Sequence, residues 1–211
     1  MPKPLSDDDI QQFREAMRRV AENAFATRGA QGVTMRELAK ELGCSAMTPY
    51  RYFRDKDDIL AMVRAAAFNR FAAQLEAAAQ NASGENRLAV SDAYVAFALD
   101  EPHAYRLMFD VNQPEGGYPD LAAAALRAQQ MLSAHFERLV DAGLLEGDPQ
   151  LIGYAYWASL HGFTMLALAN QLPLPEAQHP AGHTAPTREA VLAQLRRMLW
   201  RGAQPQPQPQ R

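Results

Sequence analysis

Residues 34–56 read TMRELAKELGCSAMTPYRYFRDK, and this stretch decides the fold. Thr34 stands three residues before Glu37. That is the spacing of a capping box, in which hydroxyl and carboxylate each satisfy a backbone N–H at a helix start. The short helix beyond it turns Leu38, Ala39 and Leu42 inward and stops at Gly43. Ser45 is placed to cap a second helix running to about Phe53. Two short capped helices joined by a tight glycine turn describe a helix-turn-helix. Leu38, Ala39 and Leu42 can meet Cys44, Pro49, Tyr52 and Phe53, and a side chain larger than alanine at 39 would push the helices apart. The second helix is poor in large aliphatics and rich in Ser45, Thr48, Tyr50, Arg51 and Tyr52. Such a surface suits a polar partner better than a deep core.

Charge points the same way. Residues 10–56 hold nine basic and five acidic side chains, a balance of +4, whereas residues 57–211 hold eleven and sixteen, a balance of −5. The whole chain, 211 residues with a net charge of −3, excludes a basic coat protein of nucleic acid but hides this patch. The hydroxyls of Thr34 and Ser45, the tyrosines, Arg51 and Lys56 suit phosphate groups near a helix N-terminus. The same residues also fit a plain piece of helical bundle with a solvated basic face.

Outward from this stretch the pattern stays helical. The 39 alanines face only 17 Val, Ile and Thr, which disfavours an extensive sheet. Ser6 precedes the acidic turn Asp7–Asp9, and Ile10, Phe13, Met17, Val20, Ala21, Ala24 and Phe25 form one helical stripe that ends at Gly29. A long helix from Asp55 to about Gln80 carries Ile59, Leu60, Val63, Ala67, Phe71 and Leu75. After a break at 81–84, further helices are predicted over 85–100, 102–111, 119–143, 149–171 and 187–201, the last with Val191, Leu192, Leu195, Leu199 and Trp200 apolar. Residues 172–186, with four prolines, read as a loop, and 203–211 as a Gln/Pro tail without a packed core. The N-terminus lacks a secretory pattern, which places the chain in the cytoplasm. The uncharged stretch from Pro149 to Pro175 contains His161 and has no aromatic-plus-basic anchors, so it reads as a core or interface helix rather than a membrane span.

At residues 10–62 the sequence resembles the tetracycline-repressor-like (TetR) family of transcriptional regulators. Thr34, Leu38, Ala39, Gly43, Cys44 and Ser45 fit its pattern, followed by Tyr50, Tyr52, Phe53, Lys56 and the pair Ile59–Leu60. The resemblance implies that Ser45–Tyr52 enters the DNA major groove, with Ala46, Met47 and Thr48 toward bases. It implies that Tyr50, Arg51, Tyr52 and Lys56 hold phosphates, and Arg36 is chemically the best candidate for bidentate guanine readout. Pro49 departs from the family, which usually has an aliphatic residue there, and its missing N–H is expected to tighten or distort the first turn. Cys44 fills a slot usually taken by Val and reads as a small hydrophobe.

The remainder resembles the family's C-terminal regulatory part in layout, and Trp157-Ala-Ser-Leu-His161-Gly162 fits a Trp-x-x-x-His-Gly signature of one subgroup. Ala155, Ser159, Gly162, Leu166 and Ala169 share a narrow face of small residues suited to a dimer contact. Tyr154, Trp157, His161, Met165 and Leu168 lie about 120° away, at roughly 100° per residue. This second face is a candidate wall of a ligand pocket with Tyr105, Met108 and Phe109; an ordinary core is the other reading. His179 and His183 lack further ligands for a metal, and no cofactor is expected.

These readings converge on an all-α chain of about nine helices. A helix-turn-helix domain covers 7–56, a helical effector and dimerisation domain 57–202, and the tail 203–211. The function expected is a homodimeric repressor of a palindromic DNA operator, relieved by a small-molecule effector, with no membrane partner. A ligand-dependent activator of the same fold, and an all-α enzyme or ligand carrier with an incidental helix-turn-helix pattern, are the alternatives.

Overall fold

The computed structural model describes residues 6–81, 88–110, 117–172 and 186–205. Among them are eight α-helices, one 3-10 turn and no strand, as an alanine-rich chain with few β-branched residues dictates. The helices are α1 (Asp7–Arg28), α2 (Met35–Glu41), α3 (Lys56–Gln80), α4 (Ala89–Asp100), α5 (Pro102–Met108), α6 (Pro119–Asp141), α7 (Pro149–Leu168) and α8 (Arg188–Gly202), with the 3-10 turn at Pro49–Arg51. The break after Asn81, the pair His179 and His183, and the last six residues of the tail lie outside the described residues. No helix among the described residues is long and apolar enough to cross a membrane.

Helix starts follow side-chain chemistry. Ser6 with Asp9, and Thr34 with Glu37, form complete capping boxes, and the Asp148 carboxylate accepts from the Gln150 N–H at 2.8 Å. α5, α6 and α7 each begin on a proline, whose missing N–H would find no helical partner in the first turn anyway. The far end of α7 is set by Asn170, which takes φ +55°. The N–H groups of Asn170 and Gln171 turn back to the carbonyls of Ala167 and Leu166. This left-handed cap stops the helix at Leu168, short of the 171 expected.

The chain packs as two compact units, Met1–Phe71 with His103–Arg127, and Ala72–Pro102 with Ala128–Arg211. In the first, Met17, Ala21, Ala24 and Phe25 of α1 meet Leu38 of α2, Phe53, and Ile59, Leu60 and Val63 of α3 in one buried cluster. Arg70 of α3 forms a salt bridge to Glu22 of α1, and Arg18 braces the same flank within α1 through Glu15 and Glu22. Arg64 is a fully buried cation on α3. Burial lowers its pKa, and the charges of Asp110 and Asp57 oppose that shift.

In the second unit, Tyr94, Phe97 and Ala98 of α4, Phe136 of α6, Tyr156, Leu160 and Phe163 of α7, and Trp200 of α8 are all buried, and the rings of Phe136 and Tyr156 meet at 4.9 Å. α7 approaches α6 closely at Gly153, where a Cβ would lie 3.3 Å from the Phe136 ring. Arg196, 11% exposed, joins α8 to α4 through Asp92 at 2.7 Å. Its Nε donates to the Ser91 hydroxyl at 2.7 Å.

His135 on α6 is buried, with its ring edge-on to Phe136. Burial, reinforced by the Arg138 charge, holds its imidazole down at about 4. The unfolded chain takes up this proton near about pH 6.5, so between those values the unfolded state binds more protons than the folded one. Stability is complete above about pH 6.5 and is lost as pH falls toward 4, by on the order of 2 kcal/mol at about pH 5. Thermal melts of the wild type and of His135→Phe between about pH 7 and 5 check this. The variant's stability should fall less steeply, and parallel slopes would contradict the assignment.

Candidate nucleic-acid interface

α2 ends as the sequence predicts. Gly43 takes φ +75°, and the N–H groups of Gly43 and Cys44 donate to the carbonyls of Lys40 and Ala39 at 3.1 and 2.9 Å. This is a Schellman turn, and its left-handed residue is one that glycine adopts without a Cβ penalty. The segment beyond Cys44 departs from the α-helix expected over Ser45–Phe53. The Thr48 N–H closes on the Ser45 carbonyl at 2.9 Å, and the chain continues as a 3-10 turn over Pro49–Arg51. Pro49 is the physical reason. An α-helix would need the N–H of residue 49 to reach the Ser45 carbonyl, and proline has none. The tighter i to i+3 pattern takes its place, with Arg51 and Tyr52 donating to Thr48 and Pro49.

This segment is held from behind. The rings of Phe13 and Tyr52 stack with centroids 4.0 Å apart and planes 17° from parallel. Arg14 donates to the Tyr52 carbonyl at 2.8 Å and sets its guanidinium 4.6 Å from the centre of the Phe53 ring. Pro49 and Phe53 are buried. The Lys56 ammonium donates to the Ala30 carbonyl at 2.7 Å.

The ten residues expected to meet DNA therefore divide. Arg36, Ser45, Ala46, Met47, Tyr50 and Arg51 are exposed, Met47 at 70%. The Thr34 hydroxyl is engaged with Glu37, and Thr48 is half-buried with its hydroxyl 2.8 Å from that of Ser45. Tyr52 is half-buried on Phe13, and Lys56 keeps one hydrogen bond to the backbone. Sequence reasoning missed Arg14 as the residue that positions this segment, because its partner lies 38 residues away. It also passed over Lys40 and Arg54, two further exposed cations of the same region; their charge was the available signal. Cys44 is half-buried.

The residues expected around an effector fall in both units. Tyr105 and Met108 are fully buried in the first, where Tyr105 packs against Phe109 at 4.9 Å and Phe109 meets Phe68 edge-on. Tyr154, Trp157, His161 and Met165 belong to the second. Tyr154 and Met165 are exposed, and Trp157 and His161 half-buried, His161 with its pKa lowered by burial. α7 turns a third face inward, formed by Gly153, Tyr156, Leu160, Phe163, Thr164 and Ala167. A small apolar cavity of about 20 Å³ lies beside that face, walled by Tyr94, His135, Tyr156, Trp157, Leu160 and Trp200 among others. In the first unit an open groove of about 610 Å³ runs past Arg14, Arg18, Arg54 and Tyr118. Its four arginines are engaged within the unit: Arg14 with Tyr52, Arg18 with Glu15, Arg54 with Asp58 and the Tyr118 ring, and Arg127 with Asn69.

Two family profiles match. One described as bacterial regulatory proteins, tetR family, covers residues 18–63. The other, described as tetracyclin repressor-like, C-terminal domain, covers residues 88–185. The HTH-type transcriptional regulator Rv1816 of Mycobacterium tuberculosis (strain ATCC 25618 / H37Rv) is 26% identical over 130 residues, 58% of this chain and 53% of that protein. The match thus spans about half the length of that curated relative. Among solved structures, a protein of unknown function from Rhodococcus sp. RHA1 superposes with a TM-score of 0.74 at 25% identity, over 97% of this chain and 100% of that one. AibR in complex with isovaleryl coenzyme A and operator DNA superposes with a TM-score of 0.61 at 15% identity, over 88% and 95% of the two chains.

Replacing Pro49 tests its hold on this turn directly. In Pro49→Ala the restored N–H can reach the Ser45 carbonyl, so backbone chemical shifts of residues 46–52 should move toward α-helical values. If the 3-10 shifts persist, the grip of α1 rather than the proline sets the conformation.

Proposed function

We propose that this chain, which belongs to the tetR family of bacterial regulatory proteins, is a DNA-binding transcriptional regulator. It acts as a homodimeric repressor that holds a palindromic operator and releases it when a small molecule binds. The observation that carries this reading is the tip of the helix-turn-helix. Ser45, Ala46, Met47, Tyr50 and Arg51 stand exposed on a segment anchored from behind, within a region that carries the chain's positive balance. Arg36 adds an exposed fork with the geometry for a guanine edge.

A second copy is supported by α7 itself. Leu151, Tyr154, Met165 and Leu166 are exposed apolar residues on the face opposite its buried stripe. A helix that is apolar on both faces asks for cover on both. Two copies would read half-sites about one helical turn apart, or a longer spacing if paired dimers bind.

The effector seat proposed is the aromatic cavity of the second unit. Trp157 and Trp200, the chain's two tryptophans, both wall it. At about 20 Å³ it has room for about one water, so a ligand must part its walls. That supplies the difference between bound and free states that a switch requires. AibR binds isovaleryl coenzyme A and operator DNA in one structure, and the same division of labour is inferred here, with acyl thioesters the first class to screen.

Selection of bound duplexes from a random library should enrich a palindrome, and affinity for it should fall steeply with salt. Arg51→Ala removes one phosphate contact per copy, so the slope of log affinity against log salt should become shallower by about two in the dimer. An unchanged slope would remove Arg51 from the interface, and no enriched sequence would overturn the regulator reading. In Trp157→Ala, ligand-induced release and the accompanying tryptophan fluorescence change should diminish while affinity for DNA without ligand stays within about twofold. Parallel loss of folding and DNA binding would assign Trp157 to the core alone.

A further inference from the structure

We infer that the chain reads thymine methyl groups in its operator, with Met47 as a specificity-determining side chain beside Arg36. The inference rests on the DNA-binding reading above and goes beyond it to the base recognised.

The turn Ser45–Thr48 brings four side chains to the tip of the helix-turn-helix, and their chemistry is unequal. The two hydroxyls are 2.8 Å apart and hydrogen-bond each other, so the pair offers an outside partner a single proton. The two residues between them, Ala46 and Met47, are the exposed corners of the turn. Neither side chain has a proton to donate, and the thioether is a weak acceptor. Met47 is 70% exposed, more than any other large apolar side chain among the described residues. Its flexible, polarizable chain is well adapted to settle on an apolar surface of irregular shape.

The surroundings choose the occupant. Arg36, Lys40 and Arg51 are exposed cations of the same helix-turn-helix, which matches a polyanion and opposes burial against an apolar protein face. In the major groove of a duplex, one base-pair feature rewards contact with an apolar side chain, the C5-methyl of thymine. Cytosine carries only a hydrogen at C5, so Met47 loses that apolar contact there. Methionine at the apex thus favours thymine through contact with the methyl.

The test uses the full-length protein and its selected operator, with deoxyuridine replacing thymine one position at a time. Deoxyuridine keeps the Watson–Crick pairing and removes only the methyl. Loss of one buried methyl should weaken binding about fourfold, and on the order of fifteenfold when both half-sites are changed. In Met47→Ala the same replacements should have little effect, while Met47→Leu should retain most of the discrimination. Met47 is exposed, so neither substitution disturbs the core. A penalty that persists undiminished in Met47→Ala would reflect altered duplex shape and overturn the inference. So would an operator that binds equally with and without its thymine methyls, the DNA-binding reading then standing. Failure to enrich any duplex would sink both.

Discussion

The outward face of the helix-turn-helix depends on a grip applied to its inner side. Phe13 stacks on Tyr52, and Arg14 holds the Tyr52 carbonyl while its guanidinium covers Phe53. Each contact is of a modest kind, yet all three act on the same two residues at the end of a segment too short to hold a helix by itself. A charged donor on a partly buried carbonyl is among the stronger neutral-acceptor hydrogen bonds. The stack and the cation over the ring add dispersion and electrostatic attraction. With Phe53 sunk in the core at 3% exposure, the backbone from Pro49 to Phe53 has little freedom left. The exposed turn at Ser45–Thr48 is thereby pinned at both ends, by the glycine cap of α2 on one side and by α1 on the other.

This arrangement explains how Pro49 is tolerated in a place where a helix was expected. Removing an N–H from a helix costs a hydrogen bond and brings the ring against the preceding turn. Here Pro49 is buried at the start of a 3-10 turn, and its carbonyl accepts from both Tyr52 and Phe53. The lost donor is replaced by a shorter-range pattern whose geometry is poorer but whose end is held by α1. Tertiary contacts override the local preference, and they do so with side chains from a helix that begins near the N-terminus.

Much of the fold was legible because polar residues marked the outside. Both capping boxes stand in the sequence as Ser6 with Asp9 and Thr34 with Glu37, and Gly43 announced the turn. The stripe Ile59, Leu60, Val63, Ala67, Phe71, Leu75 on α3 is buried throughout. α7 resisted the same treatment. With no charge anywhere along it, periodicity found two plausible faces and neither was the one that packs. The buried face is built around Gly153, whose meaning lies in the Phe136 ring 3.3 Å from its missing Cβ, and that ring belongs to another helix. The grip of Arg14 was hidden for a similar reason, since an arginine on a helical stripe has no local signal for a carbonyl 38 residues away. At the candidate interface, residue types were readable and their engagement was not. Thr34, Thr48, Tyr52 and Lys56 each make contacts within the protein that chemistry at a single position could not reveal.

A turn at the tip carries a different consequence from a helix. Two turns of helix laid in a groove present side chains at several levels, so specificity can be spread over many contacts. A four-residue turn presents two corners, here an alanine and a methionine, and of the flanking cations only Arg36 is proposed to reach a base edge. Selectivity from one copy is then bounded by what a methyl contact and one arginine fork supply, and cations on phosphates add affinity without adding discrimination. Under the proposed reading a second copy is therefore needed for recognition as well as for shape. Doubling the contacts adds the two free energies of discrimination and multiplies the corresponding preferences, while the non-specific attraction is offset by screening as salt rises. Under that reading, the apolar outer face of α7 and the sparse tip of the helix-turn-helix place complementary demands on one second copy.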